Sequence, residues 1–203
     1  HSAPMMLCVM VWWLKSFKPM KKKAKSCKKN MIDSFLNLDV EDNRWSSAVS
    51  QIEKVSEDVK NAVFAYVAEH TESEVLHADL PIIVNVCLSS DERVHALNKE
   101  FRGMDKPTNV LSFANVDFDG FAQERDLYQE IELGDIIIAF ETMQKEADIE
   151  GISLHDHYCH LLVHGLLHLL GFDHQTDEEA EYMEGFEIEI LQSMGIANPY
   201  KED

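Results

Sequence analysis

Two hydrophobic rhythms alternate along most of this 203-residue chain. Phe35-Leu-Asn-Leu-Asp-Val40 alternates with period two, the pattern of a strand with one buried face. From Trp45 to about Ala68 the apolar positions Val49, Ile52, Val55, Val59, Val63 and Val67 keep helical spacing, with Ser46 or Ser47 placed to cap. Pro81 opens a β-branched run to Leu88, a second strand. A short helix over Asp91 to about Phe101 follows, capped by Ser89 or Ser90, and Thr108 to Phe113 is a third strand. The acidic run from Asp117 to Glu132 predicts a solvated loop or hairpin. Ile136 to Ala139 is the fourth strand, and a helix follows it through about Ile149. Ser153, with Asp156 three residues on, opens a further helix in near capping-box form. A last helix covers Asp177 to Met194, its first turn acidic as the helix dipole favours. Four strands among five helices, not in strict alternation, predict an α+β fold in a single domain.

Residues 1–30 do not share this pattern. Met5 to Leu14 is an apolar run of ten, too short to span a bilayer. Lysines follow it, whereas a signal peptide places its charge first. The stretch is expected to be a basic extension, disordered or non-native, with Met31 as the native start and residues 31–203 as the domain. The competing reading is an arm for a membrane surface or nucleic acid.

Charge sharpens that division. The chain carries −19 overall, yet residues 1–30 hold eight lysines and no acid. The other 173 residues therefore set ten basic residues against all 37 acids, a net −27. So acidic a body excludes broad, non-specific nucleic-acid binding, which needs a positive field. A polyanionic substrate has to be met by a local basic patch or a metal. Cys8, Cys27, Cys87 and Cys159 form no C-x-x-C pair, which points to a reduced, cytoplasmic protein.

The chemistry is concentrated near the C-terminal end, where six of ten histidines lie between residues 155 and 174. His164 and His168 are four apart, so on a helix they share one face. Gly171 is placed to end that helix in a left-handed turn and to bring His174 toward the other two rings. Three imidazoles with an open fourth position make a catalytic rather than a structural zinc site, with one Zn2+ per chain. The spacing H-x3-H-x5-H is the one metzincin proteases use, but the position of their general-base glutamate is Gly165 here. His157 and His160 precede the triad on the same arc and are candidates to support the ligands from behind or to line the cleft. Asp173 is a candidate base, a partner for an imidazole, or a cap for the turn. Cys159 reads as a packed thiol.

A second stretch, Leu97-Asn-Lys-Glu-Phe-Arg-Gly-Met-Asp-Lys-Pro-Thr-Asn-Val-Leu-Ser-Phe113, holds the one anion-facing patch an acidic body offers. Arg93, Lys99, Arg102 and Lys106 lie within fourteen positions of one another. Arginine presents a planar fork of donors that suits phosphate, and Lys99 and Lys106 flank Arg102 as candidates to face the same anion. The plainer reading is a solvated helix end and turn, marked by Gly103 and Pro107.

Together these two stretches resemble the YbeY family of zinc-dependent endoribonucleases that act in bacterial rRNA maturation. The first is similar to the family's L-N-x-x-[FY]-R-G-x-D-[KR]-P-T-[DN]-V-L-S-F segment. His164 to His174 is similar to its H-G-x-L-H-L-x-G-[FY]-D-H motif. Leu133-Gly-Asp-Ile136, His157, His160, Glu179-Ala-Glu181 and Met183-Glu184 match in the flanks, and the likeness covers roughly residues 34–200. The resemblance implies a small mixed sheet with helices around it, zinc on His164, His168 and His174, and Arg102 at the active site. It also implies cleavage of single-stranded RNA in rRNA processing, including the 3′ end of small-subunit rRNA, and in ribosome quality control. Such a substrate makes Lys99 and Lys106 an RNA-facing patch. The expected partners are then rRNA and the small ribosomal subunit with its proteins, and neither DNA nor a membrane. Two other functions fit parts of the pattern: a metallopeptidase, from the ligand spacing, and a non-catalytic ribosome-assembly factor with structural zinc.

Overall fold

The four strands form one mixed sheet in the order β1-β2-β4-β3, with β1 at Ser34–Val40, β2 at Ile82–Ser89, β3 at Val110–Ala114 and β4 at Ile131–Ala139. β1, β2 and β4 are parallel, and β3 runs antiparallel along β4. The structure, a computed structural model, describes residues 32–117 and 121–200. The basic stretch 1–30 and Met31 lie outside the described residues. The α+β class and the four-stranded mixed sheet agree with expectation.

The period-two rhythm does what it predicts. In β1, Leu36, Leu38 and Val40 turn inward while Phe35, Asn37 and Asp39 are exposed. Ile82, Val84, Val86 and Leu88 of β2 continue that buried face, as do Ile136 and Ile138 of β4. Helices α2 (Ile52–His70) and α6 (Leu154–Leu169) pack over it, and α7 (Asp177–Ser193) packs against both helices. α3 (Asp91–Arg102) covers part of the opposite face, where Val94 meets Leu111 and Ala139. Each large apolar side chain taken out of water contributes about 1.5–3 kcal/mol, so the main core around α6 dominates the stability.

α6 is the central helix, and its burial pattern explains the site. From His157 to Leu169 every residue is buried except His160, His164 and His168. A helix apolar nearly all round belongs in a core, and a single stripe at spacing four is left open. That stripe is histidine throughout.

The architecture differs from the sequence reading in three places. The helix expected from Trp45 is two, α1 (Arg44–Ala48) and α2, separated by a turn in which Gln51 takes a left-handed φ of 56°. The turn lets Trp45 bury its indole and donate from Nε1 to the Ser89 carbonyl (3.1 Å) while α2 follows its own axis along the sheet. The acidic run holds α4 (Phe121–Tyr128), whose Phe121 packs against the core while Leu127 and Tyr128 are exposed, so apolar residues here do not mark a buried face. β4 begins at Ile131, five residues early, because a bulge at Leu133 interrupts its alternation. At Gly134 (φ 132°) a Cβ would lie 2.0 Å from the Phe113 carbonyl oxygen, so only glycine lets β3 close on β4 there.

α3 and α5 (Phe140–Glu150) begin side by side and cap each other. The Glu141 carboxylate accepts from the Asp91 N–H (2.8 Å), and the Asp91 carboxylate accepts from Thr142 N–H (2.9 Å) and Oγ1–H (2.8 Å). Ser90 stands at the N-cap position of α3 without a side-chain bond, its expected role taken by Glu141.

Candidate metal centre

α6 starts as expected, with Ser153 Oγ accepting from Asp156 N–H (3.0 Å). It ends in a Schellman turn: Gly171 N–H donates to His168 O (2.9 Å) and Phe172 N–H to Leu167 O (3.0 Å), with Gly171 at φ 89°. The turn folds the chain back over the helix end. It places His174 beside the other rings, with centroids 5.4 Å from His164 and 5.1 Å from His168. One ring nitrogen from each of the three histidines lies within 4.8 Å of the others.

The hydrogen bonds behind the rings fix which nitrogen faces inward. His168 Nδ1 is 2.9 Å from the Phe172 carbonyl, which can only accept, so Nδ1 carries the proton. His164 Nδ1 is 2.8 Å from Glu187 Oε1, and the same argument applies. In the neutral rings both Nε2 atoms then present lone pairs, and they face each other at 3.0 Å. Two lone pairs at that distance repel unless a cation sits between them. Zinc bonds of about 2.0–2.1 Å at a tetrahedral angle would put such nitrogens about 3.3 Å apart. The donor set therefore fits a metal ion. Burial, reinforced by His164, lowers the His168 pKa to about 4, so the ring is held in the neutral form a ligand needs.

Glu187 is the residue that sequence reasoning missed. It is 1 % exposed. Burial pushes its pKa up, but hydrogen bonds from His160, His164 and Tyr200 outweigh this and hold it at about 2. Its Oε2 accepts from His160 Nε2 (3.0 Å) and from the Tyr200 hydroxyl. The signal that could have found it is its place on the apolar face of α7, in line with Met183, Ile190 and Leu191. The Thr176–Glu179 capping box sets the start of that helix, so Ala180, Met183, Glu184 and Glu187 share the side toward the histidines. They line a cavity of about 180 Å³ with His164, His174 and Tyr200.

The other candidates are placed as follows. His160 joins the triad through Glu187. His157 does not: its Nε2 pairs with Glu146 (2.9 Å), which also accepts from Asn109 Nδ2 (3.0 Å), so it ties α5 and α6 to the start of β3. Asp173 turns back on its own loop, where Oδ1 accepts from His174 N–H (2.8 Å). Cys159 is fully buried, and burial pushes its thiol up to about 12, so it stays protonated in the core. Gly165 faces the sheet: a Cβ there would meet Ile136 at 3.0 Å and Ser112 Oγ at 3.2 Å. Any side chain at this position needs Ile136 and Ser112 to give by a few tenths of an ångström.

Arg102 stands at the end of α3 and donates to the carbonyl oxygen of Ser112 (3.4 Å). Ser112 lies on β3 directly against Gly165, so the two motifs meet through this strand. Lys99 and His95 both bind the Asp105 carboxylate, each at 2.8 Å, and hold it below the usual range. Lys106 is exposed, its backbone carbonyl held by Asn98 Nδ2 (2.8 Å). A larger groove, about 630 Å³, lies on the sheet face away from α6, lined by Asn37, Asn85, Arg93, Phe101 and Asp135 among others. It is separate from the histidines.

Comparison with known proteins identifies the family. The sequence profile described as Endoribonuclease YbeY matches residues 42–195, a span that includes Arg102, the histidine triad and Glu187. A protein named Endoribonuclease YbeY from Sphingopyxis alaskensis is 46% identical over 162 residues, covering 78% of this chain and 92% of that protein. One of the same name from Erythrobacter litoralis is 44% identical over 170 residues, covering 81% and 96%. Two motifs brought together by one strand, and a match over three quarters of the chain, lead to one conclusion: the chain belongs to the YbeY family.

Proposed function

We propose that this protein is a zinc-dependent endoribonuclease that cleaves single-stranded RNA in rRNA maturation, including at the 3′ end of small-subunit rRNA, and in ribosome quality control. The observation that carries the reading is the pair of opposed Nε2 lone pairs on His164 and His168, beside His174, in a chain of this family. His164, His168 and His174 would hold the ion. A metal bound there supplies Lewis acidity and lowers the pKa of water.

The chain's own residues do the rest. Arg102 uses one N–H on the Ser112 carbonyl, and its remaining donors can hold a phosphate oxygen and offset charge that develops there. Glu184, in the cavity with His164 and His174, is the best-placed proton carrier. Asp173 shapes the ligand loop and is the second candidate. Lys99 and Lys106 supply positive charge near Arg102, with Lys99 partly offset by Asp105. Gly165 counts against a peptidase reading, since the water-activating glutamate of that chemistry is missing and the space for a side chain there is tight. No helix among the described residues is long and apolar enough to cross a membrane, and a cytoplasmic setting with ribosomal partners fits the proposed substrate.

The test is cleavage of an end-labelled small-subunit rRNA fragment by the purified chain, with bound metal measured in parallel. About one metal per chain and cleavage are expected. Arg102→Ala should keep the metal and lose about 10²–10³-fold in rate, and His168→Ala should lose both. Metal at about one per chain with no RNA cleavage, alone or with small subunits, would overturn the proposal.

A further inference from the structure

We infer that Glu187 is the positioning residue of the metal centre, fixing His164 as the Nδ1–H tautomer and fastening the C-terminal Tyr200 to the same carboxylate. The inference rests on the metal-centre reading above. It goes beyond it by giving a role to a residue outside both motifs.

A carboxylate 1 % exposed is costly to bury, so its partners have to account for it. One oxygen takes His164 Nδ1–H; the other takes His160 Nε2–H and the Tyr200 hydroxyl. All the strong donors at this point are therefore directed at one acidic group. Each has a consequence. The bond to His164 leaves Nε2 as the only lone pair that ring can offer, and aims it at His168 Nε2. The bond to His160 holds that ring in the open stripe of α6, one turn before the ligand, with its Nδ1 buried and without a partner among the described residues. The bond to Tyr200 closes the cavity wall. After α7 the chain turns at Gly195 (φ 81°), Ile196 packs into the core, and Tyr200 returns to the histidines. A carboxylate behind a ligand also makes the imidazole a stronger donor to a cation, a gain that appears only when an ion is bound.

A merely structural Glu187 would hold helices together and leave metal affinity and ring tautomer unmoved. Both can be read in the full chain. The first measurement needs no substitution: nitrogen–proton correlation spectra of the metal-free wild type should show His164 as the Nδ1–H tautomer. An Nε2–H tautomer would overturn the inference. The second is Zn2+ affinity by chelator competition, with the absorption spectrum of Co2+ as the signature of the site. Glu187→Gln keeps the size but loses the charge and one acceptor. It should weaken Zn2+ about 10- to 100-fold and shift the Co2+ bands. Tyr200→Phe leaves the Glu187–His164 bond intact and should stay within about threefold of wild type. Wild-type affinity and spectrum in a folded Glu187→Gln would overturn the inference while leaving the metal centre standing. Failure of the wild type to bind either ion would overturn the metal centre itself, and this inference with it.

Discussion

Gly165 shows how much one missing Cβ decides. It sits between His164 and His168, and a Cβ there would lie 3.0 Å from Ile136 and 3.2 Å from Ser112, close enough that the neighbours must give by a few tenths of an ångström. The helix approaches the sheet closely there, against Ser112, the residue whose carbonyl Arg102 holds. Gly165→Ala is expected to cost about 1–3 kcal/mol by overpacking, read as a lower urea midpoint with an unchanged slope. Gly165→Glu should fail to fold rather than create a peptidase. A soluble, folded Gly165→Glu that cleaves casein would contradict this. From the sequence this glycine shows only as an absent glutamate; its packing partner lies 29 residues upstream, on β4. Glu187 was hidden for a related reason. It is one of several acids on α7, and only its alignment with the apolar Met183, Ile190 and Leu191 sets it apart from Glu184 and Glu189, while the histidines it serves lie on another helix.

At the scale of elements, the histidine helix was legible because local chemistry specifies it: a Ser153 cap, a stripe at spacing four and a glycine stop. The turn after it does more than stop it, since the Phe172 carbonyl that it swings back is what holds His168 Nδ1. Gly171→Ala therefore has two expected effects. Forcing a Cβ into φ 89° should cost about 1–2 kcal/mol of stability. It should also weaken metal binding, because the Phe172 carbonyl shifts with the turn. Chelator competition on the folded variant checks the second effect, and unchanged affinity would show that the carbonyl is not needed. α4 was illegible because its acids dominate the run and its apolar Leu127 and Tyr128 are exposed. The break between α1 and α2 was masked by spacing that continues through Val49 and Ile52, although Gln51 turns the chain between them.

For the molecule as a whole, charge is the main constraint on function. A body of −27 meets RNA with repulsion over most of its surface, and its basic segment is partly neutralised by Asp105. Docking on a ribosomal particle, the partner proposed above, would let basic proteins meet the acidic surface and so reconcile charge with substrate. Binding to purified small subunits should be strong and binding to isolated rRNA fragments weak, at the same salt. The opposite order would remove the docking idea and require a basic surface outside the described residues.

All of this rests on three imidazoles sharing one ion. X-ray absorption at the zinc edge, on the full chain with one equivalent of Zn2+, reads that directly. The account predicts a first shell of nitrogen and oxygen only, at about 2.0–2.1 Å, with the multiple-scattering signature of three imidazoles. A sulfur scatterer at about 2.3 Å, or a shell without imidazole, would contradict it.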